Sequence, residues 1–370
     1  MNEDKATRYN RLKRRASVVS VAWSFALIAA LGVTPLTVMV RDVAAAMFGG
    51  SPSAASTVVV YVVLLALINE AGALPIAFYS GFVVERRYGL LNESITRWAQ
   101  DELKGLGLEL ALGAAAASLL YFFIRLSPES WWLPAGAAFA LIIVGLANLA
   151  PVLLLPLFYT VKPLERESLR GRLLALADRA GARVVGAYEW GLAAKTKKAN
   201  AALAGLGNTR RILVSDTMLA AYSDEEIEVV LAHEMAHHVH GDIWKGLLFE
   251  SVLILAGFYT ASHALGWAVQ PLGLSGPADA AGIPVLLLAA GAISLVMLPL
   301  AHVLSRAYER SADRFALELT RNPAAFISAM KRLAAQNLAE DQPSKVIEWL
   351  FYSHPPIRER LHAAETFRAN

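Results

Sequence analysis

The stretch PVLLLAAGAISLVMLPLAHVL, residues 284–304, decides the class of fold. It holds no Asp, Glu, Lys or Arg and is long enough to cross a bilayer core of roughly 30 Å, which needs about 20 helical residues. Further apolar runs lie near residues 17–40, 56–84, 108–124, 132–159 and 247–269. The chain of 370 residues is 56% hydrophobic, more than a soluble globular protein usually contains. We therefore predict a mainly α fold, a polytopic bundle of about six transmembrane helices in a lipid bilayer.

The basic residues between these runs indicate how the bundle is oriented. The connections at 42–55 and 270–283 hold no Lys or Arg, whereas the N-terminal tail and the second connection are basic. The positive-inside rule then places both termini in the cytoplasm. The apolar core of the first run is too long for a cleaved signal peptide, so we expect a retained anchor. The run at 108–124 is bounded by charges, and a buried amphipathic helix is the alternative there.

Polar segments divide the chain into four predicted parts. Residues 1–160 form a membrane region with about four spans, and residues 161–246 form the first part of a cytoplasmic domain. Residues 247–304 form two further spans. Residues 305–370 then form the second part of the cytoplasmic domain.

The segment 161–246 mixes helical and strand patterns. Helical periodicity covers residues 164–183, and short apolar runs at 183–192, 199–205 and 210–219 favour strands. Gly207 and Asn208 are typical of a turn, so the last two runs predict a hairpin within a small β-sheet. Ser223 is followed by three acidic residues, a pattern that predicts the start of a helix that continues to His240.

The sequence HEMAH, residues 233–237, lies in that last helix. Histidines four residues apart lie one helical turn apart on the same face, so His233 and His237 can bind one metal ion. Glu234 is then placed to act as the catalytic base toward a water molecule at the metal. An ordinary polar helix rich in histidine is the alternative, because His238 and His240 follow.

A catalytic metal site needs a third protein ligand, and the best candidate is Glu309 in SRAYERSAD, residues 305–313. Asp313 lies one turn further on the same face, where it can accept a hydrogen bond from a ligating histidine. Without HEMAH, a solvated Glu and Asp at a helix end would be the simpler interpretation. Two histidines and one carboxylate favour Zn²⁺, one per chain.

Composition excludes other chemistries. The chain has no cysteine, which excludes disulfides, cysteine-ligated metals and a thiol nucleophile. The net charge is only +3, and no basic stripe is interleaved with aromatic residues, so nucleic acid is not an expected partner. The sequence leaves the oligomeric state open.

Several stretches together resemble the type I CAAX prenyl protease family, with the HtpX-like membrane proteases as more distant relatives. They are residues 78–104, residues 156–182, KANA at 198–201, the strand pattern at 211–217, HEMAH, YERSAD at 308–313 and HPPIRER at 354–360. The resemblance implies a bundle of membrane helices around a large chamber, closed on the cytoplasmic side by a zincin-like metallopeptidase domain. The chain departs from the family at Ala199, where Ser is usual, and at His238, where an aromatic residue is common. Eukaryotic members also have seven spans.

The same resemblance implies the roles of further residues. His354 and Arg360 would donate hydrogen bonds to the oxyanion or orient groups around it. Ala199, Asn200 and Ala201 would lie in an edge strand that binds the substrate backbone by β-augmentation.

The implied activity is that of a zinc metalloendopeptidase with a peptide or protein substrate, located in the cell membrane if bacterial or the endoplasmic reticulum membrane if eukaryotic. One candidate role is removal of the C-terminal tripeptide from prenylated proteins. A second is broad-specificity, HtpX-like quality control of membrane proteins. A non-catalytic membrane receptor or transporter is the alternative from a different class, and it would not need Glu234.

Overall fold

A computed structural model of the chain describes residues 4–367. Its first part consists of long helices that run back and forth between the two ends of a bundle. In chain order, with a π-helical segment Phe78–Val84 after α3, these are α1 (Lys5–Gly32), α2 (Leu36–Phe48), α3 (Ala55–Ala77), α4 (Glu85–Arg87), α5 (Ile95–Leu126), α6 (Trp132–Leu153) and α7 (Leu155–Phe158).

A small sheet with its own helices follows the first part. Its elements are β1 (Val161–Pro163), α8 (Glu167–Ala180), β2 (Gly186–Trp190), β3 (Ala201–Ala204), β4 (Arg211–Ser215), α9 (Asp216–Ala221) and α10 (Asp224–Val239). The strand order is β1-β2-β4-β3, with β2 and β4 parallel and the other two pairs antiparallel. The predicted hairpin is formed by β3 and β4, and β3 is an edge strand of the sheet.

The chain then returns to the bundle and leaves it again. The remaining helices are α11 (Asp242–Ala268), α12 (Ile283–Thr320), α13 (Pro323–Asn337), α14 (Lys345–Phe351) and α15 (Ile357–Glu365). Within residues 4–367, six helices are long and apolar enough to cross a membrane. They are built on α1, α3, α5, α6, α11 and α12. The mainly α fold with six spans is therefore confirmed.

Two span boundaries differ from the sequence prediction. The first apolar run is not a single helix to residue 40, because α1 ends at Gly32 and a new helix, α2, begins at Leu36. Pro35 between them lacks the N–H that a continuing helix needs. The third span is a helix that begins much earlier than residue 108. Its start is fixed by Ser94, whose Oγ accepts a hydrogen bond from the Arg97 N–H at 3.3 Å.

The strand predicted over 210–219 was wrong in its last four residues, which are helical. Ser215 ends β4 and caps α9, because its Oγ accepts a hydrogen bond from the Met218 N–H at 3.2 Å. The strand predicted over 183–192 is shorter, at Gly186–Trp190, and the short strand β1 was not predicted.

One hydrophobic core joins the sheet to α8, α10 and α13. Its fully buried side chains include Leu173 of α8, Ile212 of β4, Ile227 and Leu231 of α10, and Phe326 of α13. Burial of each such side chain stabilises the folded state by about 1.5–3 kcal/mol. The helix that carries HEMAH is therefore held from several sides.

At the other end of the bundle, an ion pair joins helix α2 to the connection before α12. Arg41 Nη1 lies 2.7 Å from the Asp279 Oδ2, and both side chains are buried. Asp279 also accepts hydrogen bonds from the backbone N–H groups of Ser275 and Ala281, each at 2.9 Å. The network fixes this end of the bundle, which lies opposite the end near HEMAH.

We expect Arg41→Gln to lower the free energy of unfolding by about 3 kcal/mol, because it leaves the Asp279 carboxylate buried without its cation. SDS-induced unfolding, followed by circular dichroism in mixed micelles, measures this change. The control is Lys104→Gln, which breaks a more exposed pair with Asp101 and should cost less than about 1 kcal/mol. Equal losses in both variants would contradict a special role for the buried pair.

Candidate metal centre

The helix α10 has a well-defined start and end. Ser223 Oγ accepts a hydrogen bond from the Glu226 N–H at 3.3 Å, and the Glu226 carboxylate accepts one from the Ser223 N–H at 2.9 Å. This reciprocal cap satisfies two N–H groups at the helix start. At the other end, Gly241 has a left-handed backbone with φ of 69°, which turns the chain directly into α11. HEMAH therefore occupies the last turns of a fixed helix.

Helix α12 brings the third candidate ligand to HEMAH. It continues without a break from the apolar run to Thr320, so Glu309 and Asp313 lie on the extension of a membrane span. Both carboxylates are buried. Glu309 Oε2 lies 3.2 Å from His233 Nε2, and Glu309 Oε1 lies 3.4 Å from His237 Nε2. Candidate ligand atoms of the three residues lie within 4.8 Å of one another.

The second nitrogen of each histidine contacts another carboxylate. His233 Nδ1 lies 2.8 Å from Asp313 Oδ1, and His237 Nδ1 lies 3.2 Å from Asp242 Oδ2. An imidazole that donates from Nδ1 to a carboxylate keeps a lone pair on Nε2. A neutral imidazole in this arrangement directs its Nε2 lone pair toward the carboxylate of Glu309.

These residues fit a divalent metal ion. Glu309 Oε2 is buried and accepts no hydrogen bond from residues 4–367. A buried carboxylate oxygen without a donor is costly, and two imidazole lone pairs beside it add repulsion. A cation bound by His233, His237 and Glu309 would satisfy all three groups.

Arg360 supports the centre from α15. Its Nε lies 2.8 Å from Asp313 Oδ2 and its Nη2 lies 2.6 Å from Asp313 Oδ1, a bidentate pair. The pair holds the carboxylate that contacts His233. His354, in the connection before α15, lies with its Nε2 3.3 Å from Glu309 Oε1.

A cavity of about 380 Å³ opens beside these groups. The predicted site residues that line it are Ala199, Asn200, Ala201, His233, Glu234, His354 and Arg360. Burial raises the pKa of the Glu234 carboxyl above its ordinary value, the direction expected of a group that must accept a proton. The structure thus brings together every residue singled out from the sequence.

Two residues of the centre were missed from the sequence. Asp242 contacts His237 but lies in the next helix, and only the Gly241 break before it hinted at a turn that returns the chain. His238 departs from the family pattern, and the sequence alone gives no role for its side chain. Its Nε2 donates to the backbone oxygen of Leu203 in β3, at 2.8 Å, and so joins α10 to the edge strand.

Two models of known protein families match the sequence, one in each part of the chain. Residues 163–368 match the model of peptidase family M48. The chain belongs to peptidase family M48. Residues 2–160 match the model described as CAAX prenyl protease N-terminal, five membrane helices. Among residues 4–160, four helices are long and apolar enough to cross a membrane, one fewer than that description names.

Individual M48 relatives extend the match over most of the chain. The metalloprotease YhfN of Bacillus subtilis, described as uncharacterized, is 30% identical over 309 residues, which cover 82% of this chain and 72% of that protein. CAAX prenyl protease 1 of Saccharomyces cerevisiae is 27% identical over 326 residues, covering 82% and 70%. The crystal structure of S. mikatae Ste24p has the same fold, with a TM-score of 0.85 at 23% identity, covering 97% and 87%. The family predicted from the sequence is confirmed.

This M48 chain is an integral, multi-pass membrane metalloendopeptidase that acts on peptide or protein substrates. The alternative of a non-catalytic receptor or transporter is therefore set aside.

Asp242→Asn should weaken metal affinity about 10- to 100-fold, because a neutral amide orients and polarises the His237 imidazole less well than a carboxylate. Competition with a fluorescent chelator measures the affinity. Asp178→Asn, at an exposed position of α8, is the control and should bind metal as the unaltered protein does. Indistinguishable affinities for the two variants would show that Asp242 does not support the centre.

Proposed function

We propose that this protein is a zinc-dependent endopeptidase, with one Zn²⁺ held by His233, His237 and Glu309 and with Glu234 as the catalytic base. The proposal depends mainly on one observation, the convergence of two Nε2 atoms and one carboxylate. Two imidazoles, one carboxylate and an open fourth position are typical of catalytic zinc in peptidases. Asp313 and Asp242 orient the two imidazoles.

When bound, zinc polarises the scissile carbonyl and lowers the pKa of a water molecule from about 15.7 toward 7. Glu234 takes a proton from the attacking water and later delivers it to the leaving amine. Arg360 donates two of the five N–H groups of its guanidinium to Asp313. The other N–H groups can donate to the oxyanion of the tetrahedral intermediate. His354 is the second donor. Such donors are each worth roughly 3–4 kcal/mol in related chemistry.

The substrate backbone binds along the free edge of β3. The Asn200 backbone faces β4, since its oxygen accepts from the Ser215 N–H at 2.9 Å and its N–H donates to Ser215 Oγ at 3.0 Å. Alternate residues of a strand direct their backbone groups to opposite sides, so Ala199, Ala201 and Leu203 direct theirs to the side away from β4. The exposed Asn200 side chain lines the cavity and adds a side-chain contact.

The names of the relatives support a proposal for the substrate class. Several are named CAAX prenyl protease 1, and they align with this chain over both the membrane helices and the M48 part. We infer that this protein removes the C-terminal tripeptide from proteins with a prenylated C-terminus. Broad-specificity cleavage of membrane proteins, the HtpX-like role, predicts a different substrate preference in the same assay.

The catalytic side of the bundle faces the cytoplasm. Tyr9 of α1 donates a hydrogen bond to Glu85 at 2.6 Å, and Lys198 donates to Tyr9 at 2.9 Å. These contacts bring the basic N-terminal helix start and the sheet region to one end. The loops at the opposite end, residues 49–54, 127–131 and 269–282, hold no Lys or Arg. The positive-inside rule assigns the basic end to the cytoplasm.

Glu234→Gln tests the proposed chemistry in purified, detergent-solubilised protein. We expect one zinc per chain in both wild type and variant, with kcat on a farnesylated C-a-a-X peptide at least 100-fold lower in the variant. Glu225→Gln, exposed on the same helix, is the matched control and should remain active. A wild type without zinc, or a fully active Glu234→Gln, would overturn the proposal.

The same assay decides between the two substrate classes. Strong preference for the farnesylated peptide over its unprenylated form and over casein supports CAAX processing. Equal turnover of the three substrates would favour the broad-specificity role.

Single-cysteine variants test the orientation, because the chain has no cysteine of its own. Gln270→Cys lies in the connection after α11 and Glu167→Cys lies in α8, and both positions are exposed. In intact bacterial cells that express the protein, a membrane-impermeant maleimide should label Gln270→Cys alone. Glu167→Cys should be labelled once the membrane is permeabilised. The reverse pattern would place the catalytic side outside.

A further inference from the structure

One end of the free edge of β3 is already paired with a side chain of the protein itself. The Ala199 N–H donates to Asn337 Oδ1 at 3.0 Å, and Asn337 Nδ2 donates to the Ala199 oxygen at 3.1 Å. These are the two bonds that a residue of an added antiparallel strand would exchange with Ala199. Asn337 therefore holds the position that a longer bound strand would need.

At the other end of the edge, one of the two backbone groups of Leu203 already has a partner. His238 donates to the Leu203 oxygen and leaves the Leu203 N–H available. Between Ala199 and Leu203, Ala201 directs both its N–H and its oxygen to the open side. The rise from Ala199 to Leu203 is about 13 Å, so the open part of the edge is only a few residues long.

The position of Asn337 is fixed by the end of α13. Leu338 has a left-handed backbone with φ of 51°, and Asn10 of α1 donates to its oxygen at 2.7 Å. The neighbouring Gln336 donates to the Lys197 oxygen at 2.7 Å. Because the last turn of α13 is held on two sides, the Asn337 amide is a fixed part of the edge rather than a mobile surface group.

Resting on the proposed function, we infer that Asn337 determines specificity by limiting how many residues a substrate carries beyond the cleaved bond. An antiparallel strand runs opposite to β3, so its C-terminal residues approach Ala199. Ala199, Ala201 and Glu234 line the same cavity, but both backbone groups of Ala199 are already bonded to Asn337, so we take the cleaved bond to lie beside Ala201. A short C-terminal overhang fits between that bond and Asn337, whereas a longer overhang meets an edge that is already paired. The site thus takes peptides that are cleaved close to their C-terminus.

The test uses zinc-loaded full-length protein and peptides that share one cleavage site. One series is extended by two, four or six residues after that site, and a second series is extended before it. In the wild type, kcat/KM should fall as the C-terminal extension grows. In Asn337→Ala, the ratio of kcat/KM for extended to unextended peptide should rise about tenfold, since the freed Ala199 groups offer two more hydrogen bonds.

Two further variants test whether the change in this ratio is specific to the Asn337 amide. Asn337→Ser is too short to reach both Ala199 groups, so it should repeat the result if Asn337→Ala folds poorly. Lys331→Ala changes an exposed residue of the same helix, away from its last turn, and should leave the ratio as in the wild type. Zinc content and unfolding temperature are measured for each.

An unchanged ratio in both Asn337 variants, with zinc bound and the short peptide cleaved, overturns this inference alone. The inference is also overturned if kcat/KM of the wild type does not depend on C-terminal length. The same holds if the Asn337 variants gain kcat/KM only on peptides that are extended before the cleavage site. Cleavage that does not depend on Glu234 instead overturns the proposed function.

Discussion

The carboxylate of Glu309 lies between the imidazoles of His233 and His237, and the arrangement of the whole catalytic region depends on this contact. The three residues come from two helices that are separated in the sequence by α11 and by the apolar part of α12. Since α12 is one continuous helix, no flexible loop lies between the sixth span and Glu309. The packing of the membrane bundle therefore sets the position of a proposed metal ligand outside it.

Each buried carboxylate that contacts one of these imidazoles lies beside a cation, which explains why the C-terminal segment belongs to the site. Arg360 neutralises Asp313, and Lys245 lies 2.9 Å from Asp242. A buried carboxylate that lost its cation would be strongly destabilised, so α15 must pack on α12 for the centre to form. The segment after α12 is thus as necessary to the centre as HEMAH itself.

Much of the fold and the centre could be predicted from the sequence because the signals are local. Apolar runs report membrane spans, and the spacing within HEMAH reports two histidines on one helix face. Boundaries were less predictable where one side chain decides them, as Pro35 and Ser215 do. Asp242 and Asn337 could not be assigned, because each acts through a contact that no periodicity shows. Asn337 meets Ala199 across 138 residues of sequence, and an amide at a helix end carries no sign of such a partner.

The place of Glu309 after the sixth span also imposes an order in time. A ribosome completes the apolar part of all six spans before it adds the proposed third ligand, and Arg360 follows later still. A nascent chain that has emerged only as far as α10 holds both histidines and Glu234 without the carboxylate that would complete the centre. Domains form from the N-terminus during synthesis, so insertion of α11 and α12 must precede assembly of the centre. On the proposed function, a chain can hold the complete centre only after its membrane insertion is finished.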